Sequence, residues 1–267
     1  MTASSATTTN PVLSGALAWA LSDSWEMAHR MLLHFWRIPY TLVFTGMQPI
    51  MFALLFRYAF GGAFDVAGDY VDFLMPGVFV MAVGFGAITT AIGIAADMGS
   101  GAVDRFRSLP MSRAAFLVGH TTADFLRGAG VVIVVVVMGF LIGLDFHTSW
   151  AAFFAGVGIV LAFSYALIWG SALVGIVSPN AQTAEGLIFT ALFPLTFASS
   201  AFAPTESMPD WLRVFTEHQP FSVVVDAARA LTLGGPTARP VTTGLLWIAG
   251  MLLVFAPMAV SQYRRAV

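Results

Sequence analysis

Cysteine and lysine are both absent from this sequence of 267 residues, and each absence excludes a kind of site. Without cysteine the chain can form no disulfide, no thiolate metal site and no cysteine nucleophile. Without lysine it lacks the side chain that a P-loop places on the nucleotide phosphates, so it cannot build a standard ATP site of that type. All 12 basic residues are arginines.

Charged residues of any kind are scarce, and this scarcity indicates a membrane protein. They make up 10% of the sequence and hydrophobic residues 58%, whereas a soluble domain is about 25% charged. A helix needs about 20 apolar residues to cross the hydrocarbon core, so the long uncharged stretches predict an all-α integral membrane protein with six transmembrane helices. The predicted spans are residues 38–60, 72–96, 120–144, 149–177, 184–204 and 240–263.

The arginines predict the orientation. Three lie between the second and third spans and two follow the sixth: Arg105, Arg107, Arg113, Arg264 and Arg265. Six crossings put all five on one side, which the positive-inside rule assigns to the cytoplasm. Both termini are then cytoplasmic, with residues 1–14 as a disordered tail. Arg127 falls within the third span, and we expect its side chain to snorkel to the membrane interface.

Residues 15–37 precede the first span and carry too many charges to cross the membrane. Leu21 and Trp25 belong to an apolar stripe at helical spacing, while Glu26 and Arg30 fall on another face. A helix of this kind lies in the plane of the interface. It is either an ordinary surface helix or an elbow helix that levers the first span.

Residues 205–235, on the predicted outer side, are amphipathic and too interrupted to span. Pro209 can start a first helix, which is broken before Pro220, and a second helix ends at a pair of glycines. On the second helix Asp226 and Arg229 are three residues apart, close enough to pair. The two helices predict an extracellular re-entrant hairpin, which either only covers the ends of the spans or forms an external gate.

Residues 97–119, between the second and third spans, concentrate charge, glycine and proline. Residues 102–109 can form about two helical turns before Pro110, and Ser112 can cap the helix that follows. A short charged helix at the cytoplasmic surface is suited to docking in a groove of a partner. The alternative is a solvated loop that its arginines keep inside the cell.

The sequence contains no motif for catalysis or metal binding. The five histidines stand at spacings that do not match metal ligands. Acidic residues avoid the middle of the spans, where an ion-coupled carrier usually keeps an ionisable group. We expect the chain itself to be no enzyme and to hold no cofactor or metal. Its net charge of −2 gives no attraction to nucleic acid.

Three motifs follow one another along the chain. The first is DRFRSLPMSR at 104–113, the second comprises AQTAEG at 181–186 and FPLTFASSAFAP at 193–204, and the third comprises MPDWL at 208–212, QPFS at 219–222 and DAARAL at 226–231. In this order they resemble the type-2 ABC exporter permeases, most closely the daunorubicin-resistance branch. The resemblance extends from about Tyr40 to the last residue. The family commonly has asparagine where this chain has Gln219, and we expect the turn there to survive.

The resemblance implies a six-helix transmembrane domain at residues 38–267, with an N-terminal elbow helix, a cytoplasmic coupling helix and paired outer re-entrant helices. It implies the permease subunit of an exporter for a hydrophobic or amphipathic substrate, such as a drug, an antibiotic or a lipid. The alternatives are a permease for a lipid-linked glycan or an envelope lipid, an ion-coupled carrier and a membrane scaffold that transports nothing.

The resemblance also implies partners and functional residues. Two copies of a separate ABC ATPase would bind ATP and Mg, and a second copy or a paralogue of the permease would complete the complex in a bacterial cell membrane. The residues expected to couple to the ATPase are Asp104, Arg105, Phe106, Arg107 and Leu109. Those expected at the outer gate are Trp211, Phe215, Pro220, Phe221, Asp226 and Arg229.

Overall fold

The computed structural model describes residues 39–60, 69–99, 113–205 and 208–266. The described residues form helices and their connections, without a strand, which confirms the all-α prediction for this part of the chain. The predicted tail at 1–14, the elbow helix at 15–37 and the coupling helix at 102–109 lie outside the described residues, as do all five predicted coupling residues.

Within the described ranges the chain folds into eight α-helices. They are α1 (Pro39–Leu55, which continues as a π-helical turn, Phe56–Phe60), α2 (Tyr70–Gly99), α3 (Arg113–Leu141), α4 (Trp150–Val177), α5 (Ala181–Phe197), α6 (Asp210–His218), α7 (Pro220–Leu233) and α8 (Ala238–Ala266).

Four of these helices are long and apolar enough to cross a membrane: α2, α3 from Leu117 onward, α4 and α8. They coincide with the second, third, fourth and sixth predicted spans, so the prediction of a multi-pass membrane protein is confirmed. Helices α1 and α5 have 17 residues each. Helix α1 lies within the first predicted span, whereas α5 overlaps the fifth and ends at Phe197, seven residues before the predicted end of that span, where the chain leaves the helix in a series of turns. The count of six spans stays a prediction.

The core of the bundle is built around α2 and α4. Helix α2 is buried along most of its length and packs against α3, α4, α5 and α7. A glycine makes a close approach of these two helices possible, since a Cβ atom on Gly175 of α4 would lie 2.7 Å from the carbonyl oxygen of Ala91 on α2. Phe163 of α4 meets Phe221 of α7 edge to face, with ring centroids 5.1 Å apart.

Long-range hydrogen bonds hold one end of the bundle together. The Tyr70 hydroxyl donates to the Phe202 carbonyl at 3.1 Å, and the Asp145 amide donates to the Asp72 carboxylate at 2.8 Å. The Thr148 hydroxyl donates to the Leu231 carbonyl at 2.7 Å. We call this the outer end, after the orientation predicted from the arginines. At the opposite, inner end α2, α3, α4 and α8 share a second apolar core.

Candidate functional site

Four charged or titratable side chains meet at the inner end of the bundle, and we call them the inner charge cluster: Asp97, His120, Asp124 and Arg127. The His120 ring lies 3.7 Å from the Asp97 carboxylate and 3.4 Å from that of Asp124. Arg127 pairs with Asp124 at 2.9 Å. The cluster therefore joins the last turn of α2 to the first half of α3, across the loop that carries the predicted coupling residues.

The spacing along α3 explains why this helix supplies three members of the cluster. His120, Asp124 and Arg127 follow one another at i, i+4 and i+7, which places them on one face of a helix. The side chains of His120 and Arg127 are each 10% exposed and that of Asp124 is 16% exposed. Charges buried to this degree persist only when they are paired, and on α3 Asp124 and Arg127 supply that pairing for each other.

The expectation that Arg127 snorkels to the membrane interface is wrong. Its guanidinium turns into the bundle, where Asp124 and the carbonyl oxygen of Gly86, 3.4 Å away on α2, accept its hydrogen bonds. A carboxylate one turn away on the same helix gives the guanidinium a partner inside the bundle. Beside this pair lies a cavity of about 10 Å³, also lined by Ser164, which is about the size of one water molecule.

A second polar network lies at the outer end, centred on Arg229 of α7. Arg229 pairs with Asp226 at 3.1 Å, as predicted from their spacing. Its Nη2 donates to the carbonyl oxygens of Ser200 at 2.9 Å and Phe73 at 3.1 Å, and the guanidinium carbon lies 3.8 Å from the centre of the Phe73 ring. Burial lowers the pKa of Arg229 to about 10, which leaves it charged at neutral pH. The network ties α7 to α2 and to the segment after α5.

Gln219 forms the turn between α6 and α7. Its Oε1 accepts from the Phe221 amide at 3.0 Å and thereby caps α7. Its Nε2 donates to the Leu195 carbonyl at 2.9 Å and to the Ser222 hydroxyl at 3.0 Å. The turn therefore survives the replacement of the asparagine that is common in the resembling family, as expected.

The predicted gate residues separate into two groups. Pro220 begins α7, Phe221 is 1% exposed in the core, and Asp226 and Arg229 belong to the outer network. Trp211 and Phe215 of α6, by contrast, are 75% and 46% exposed. The structure thus joins the residues of α7 to the bundle and leaves the two aromatic residues of α6 on its surface.

One side of the bundle, formed by α1, α2, α5 and the segment after α5, carries a continuous row of aromatic rings. We call it the α1–α2–α5 face. Neighbouring centroids along the row lie between 4.6 and 6.2 Å apart, and its rings are Phe85, Phe189, Phe193, Phe197, Phe202 and Phe56. Phe189 and Phe193 of α5 are exposed, whereas Phe202 is buried in the core. The exposed rings of α5 suit contact with flat hydrophobic molecules or a second protein surface.

A cavity of about 260 Å³ opens on the same face, between α1 and α2. Gln48, Phe85, Gly86 and Thr89 contribute to its walls. Gln48 and Thr89 are both exposed although each lies well within a predicted span. The Thr89 hydroxyl donates to the Gly86 carbonyl at 2.8 Å. Gly86, whose carbonyl oxygen accepts the hydrogen bond from Arg127 of the inner charge cluster, is therefore also part of the wall of this cavity.

Sequence reasoning missed the inner charge cluster and the polar groups of the α1–α2–α5 face. The spacing of His120, Asp124 and Arg127 on one helix was a signal for part of the cluster. No pattern in the sequence pointed to Asp97 as their partner or to the exposure of Gln48. The structure also brings no group of three or more metal-ligating residues together within the described ranges.

Comparisons with known proteins show the family of this chain. A model of the ABC-2 type transporter family matches residues 23–233. The chain is 32% identical over 250 residues to the daunorubicin resistance ABC transporter permease protein DrrB1 of Streptomyces coeruleorubidus, which covers 93% of this chain and 88% of that protein.

Two further relatives are more distant. The probable doxorubicin resistance ABC transporter permease protein DrrC of Mycobacterium tuberculosis is 26% identical over 89% of this chain and 87% of its own. The putative transport permease ycf38 of Cyanophora paradoxa is 24% identical over 79% of this chain and 74% of its own. Because the family model matches well over half of the chain and the first relative is similar along nearly all of it, this protein belongs to the ABC-2 type transporter family.

Proposed function

We propose that the chain is the transmembrane subunit of an ATP-driven exporter, which moves a hydrophobic or amphipathic drug out of the cytoplasm or the inner leaflet. Membership of the family supports this function, as do the relatives, which include daunorubicin and doxorubicin resistance permeases. The chain has no lysine for a P-loop. ATP and Mg therefore bind to a separate ABC ATPase, of which two copies serve two permeases in a bacterial cell membrane.

The proposed architecture has six spans with both termini in the cytoplasm. Helices α1 and α5 supply the first and fifth spans, with α1 lengthened by its π-helical turn. An elbow helix at residues 15–37 precedes them, and α6 and α7 form an outer re-entrant hairpin. This division of the chain is supported by the four helices long enough to cross a membrane and by the spacing of the arginines.

The α1–α2–α5 face is the proposed substrate path and the contact with the second permease. The single observation that carries this assignment is Gln48, a glutamine that is exposed within a span. The amide of a glutamine that faces lipid has no hydrogen-bond partner. Each unpaired polar group in an apolar medium costs roughly several kcal/mol. An exposed amide at this depth therefore faces a second protein surface, water or substrate.

The inner charge cluster is the proposed link between the ATPase and this path. Closure of the two ATPases would push the coupling helix at residues 102–109, and the cluster joins the two helices on which that loop is mounted. Arg127 reaches the carbonyl of Gly86, in the wall of the α1–α2 cavity. A displacement of the loop is thereby transmitted to the cavity through ion pairs and one hydrogen bond.

The outer hairpin is the proposed gate, with a fixed part and a moving part. Helix α7 is the fixed part, because its side chains lie in the core and Arg229 binds two neighbouring segments. Helix α6 is the moving part, because only Thr216 among its residues is buried. Trp211 and Phe215 would lie at the membrane interface in both positions of the gate.

Replacement of Arg105 by alanine together with Phe106 by aspartate tests the proposal. The permease is co-expressed with its ATPase and purified through a tag on the permease. We expect the double variant to insert into the membrane at the normal level and to lose the ATPase. Arg213→Ala, which changes an exposed arginine of α6, is the matched control and should keep it. Retention of the ATPase by the double variant would refute the coupling assignment.

A further inference from the structure

A separate cavity lies at the outer end, away from the α1–α2–α5 face. It has a volume of about 380 Å³ and lies between α6, α7 and the start of α8. This size falls within the usual range of small-molecule sites. Charged side chains of both signs line it, together with an imidazole, a hydroxyl and an indole: Glu217, Asp226, Arg239, His218, Thr243 and Trp247.

The acidic side of the cavity is contributed by α6 and α7. Glu217 pairs with Arg213 at 2.7 Å, and its side chain is still 38% exposed. Asp226 is 43% exposed, and a single oxygen, Oδ1, accepts both the Ser200 hydroxyl at 2.8 Å and Arg229 at 3.1 Å. Both carboxylates are therefore held in place by neighbours and still present surface to the cavity.

The opposite side is contributed by α8. Arg239, Thr243 and Trp247 follow one another at i, i+4 and i+8, and therefore lie on one side of this helix. The Thr243 hydroxyl donates to the Arg239 carbonyl at 2.9 Å. The Arg239 side chain is exposed and makes no ion pair with any other residue that the structure describes. Trp247 is 41% exposed, two turns further into the predicted span.

We propose that this cavity binds the headgroup of a zwitterionic phospholipid with a primary ammonium group, such as phosphatidylethanolamine. The lipid phosphate binds to the Arg239 guanidinium, which forms strong charge-assisted hydrogen bonds with phosphate oxygens. The ammonium group donates to Glu217 and Asp226. The indole of Trp247 lies beside the glycerol region, the level at which tryptophan is enriched in membrane proteins.

The pairing of charges selects this lipid class over other amphiphiles. An anionic headgroup would satisfy Arg239 and meet the two carboxylates unfavourably. A choline headgroup cannot donate a hydrogen bond, because its nitrogen carries no proton. A cationic amphiphile without phosphate would leave Arg239 unused. The inference does not rest on the export function, since the cavity lies outside the proposed substrate path.

Native mass spectrometry of the purified full-length chain tests the site. The protein is delipidated in detergent and titrated in turn with phosphatidylethanolamine, phosphatidylglycerol and phosphatidylcholine of the same acyl chains. We expect phosphatidylethanolamine to bind at least about tenfold more tightly than either other lipid, since hydrogen bonds between charged groups distinguish them. Arg239→Gln should abolish this preference, whereas Arg264→Gln, at the other end of α8, should leave it intact.

The same titration can overturn the proposal. Equal binding of the three lipids, or an unchanged preference in Arg239→Gln, would show that the cavity does not distinguish lipids by their headgroups. A thermal unfolding measurement on both variants establishes that they are folded, so that a lost preference is a property of the site. A last titration uses dodecylamine, a cationic amphiphile without phosphate. If it binds as tightly as phosphatidylethanolamine and equally well to Arg239→Gln, the cavity is a site for amines and the proposal is wrong.

Discussion

The Asp97 carboxylate at the end of α2 lies 3.7 Å from the ring of His120 near the start of α3. These two residues stand on either side of the loop proposed to receive the push of the ATPase. Because His120 also contacts Asp124, and Asp124 pairs with Arg127, the contact continues into the interior of the bundle. The link is short and involves few side chains, so single substitutions should break it.

His120→Ala should uncouple ATP hydrolysis from transport. The variant removes the ring that joins the two carboxylates, and we expect the complex to assemble and hydrolyse ATP while export falls about tenfold, within the usual range of coupling energies. Transport and phosphate release are measured on the same vesicles. Glu185→Gln, an exposed acid at the inner end of α5, is the control and should change neither rate. Equal losses of hydrolysis and transport would argue against a coupling role.

Arg229→Ala should destabilise the protein. It removes an ion pair and leaves the carbonyls of Phe73 and Ser200 without this donor, which costs about 2–4 kcal/mol for hydrogen bonds of a charged group. Arg229→Lys should restore only part of the loss, because an ammonium group cannot reproduce the planar fork. Thermal unfolding of the purified protein measures the effect.

Arg213 gives the comparison for that experiment. It also pairs with an acid on its own helix, Glu217, at 2.7 Å, but the pair is exposed. Exposed pairs of this spacing contribute about 0.3–0.5 kcal/mol. Arg213→Ala should therefore leave the unfolding temperature nearly unchanged. If Arg213→Ala lowered the unfolding temperature as much as Arg229→Ala does, the outer network would not be the contact that holds α7 in place.

Gln48→Leu should reduce export without affecting insertion. The leucine removes the amide that Gln48 presents to the α1–α2 cavity and makes this part of the face more compatible with lipid. Export of an amphipathic dye from vesicles, normalised to the amount of permease in the membrane, is the measurement. Thr242→Val, a polar-to-apolar change at an exposed position of α8, should leave export unchanged. Normal export by Gln48→Leu would place the substrate path elsewhere.

Gly175→Val should disturb the packing of α4 against α2. A Cβ atom there would meet the backbone of Ala91, and a backbone cannot move aside as a side chain can. We expect a loss of about 1–3 kcal/mol in unfolding free energy, as for other overpacked cores. Gly250→Val on α8, where a Cβ atom would meet nothing within 4 Å, should have little effect. Comparable stability of the two variants would contradict the close approach of α2 and α4.

Local signals in the sequence were sufficient for much of the fold. The ends of α6 and α7 were predicted to within about two residues from the proline at 209, the Gln219-Pro220 pair and the glycine at 234. This was possible because helix capping and helix breaking depend on neighbouring residues. The pairing of Asp226 with Arg229 also followed from helical spacing alone.

Contacts between distant parts of the chain were not predictable in this way. Nothing near Arg127 in the sequence indicates that it turns inward to the carbonyl of Gly86, 41 residues away. The carbonyls of Phe73 and Ser200 carry no side-chain signature for their bonds with Arg229. These contacts depend on how the helices pack, and packing is not encoded in a local pattern.

Uptake into inside-out membrane vesicles tests the central claim most directly. Vesicles containing the permease, its ATPase, or both are supplied with a fluorescent amphipathic drug. We predict uptake only when both subunits and hydrolysable ATP are present, with no loss when a protonophore collapses the proton gradient. Uptake by the permease alone, or uptake that disappears with the proton gradient while ATP remains, would contradict an ATP-driven exporter.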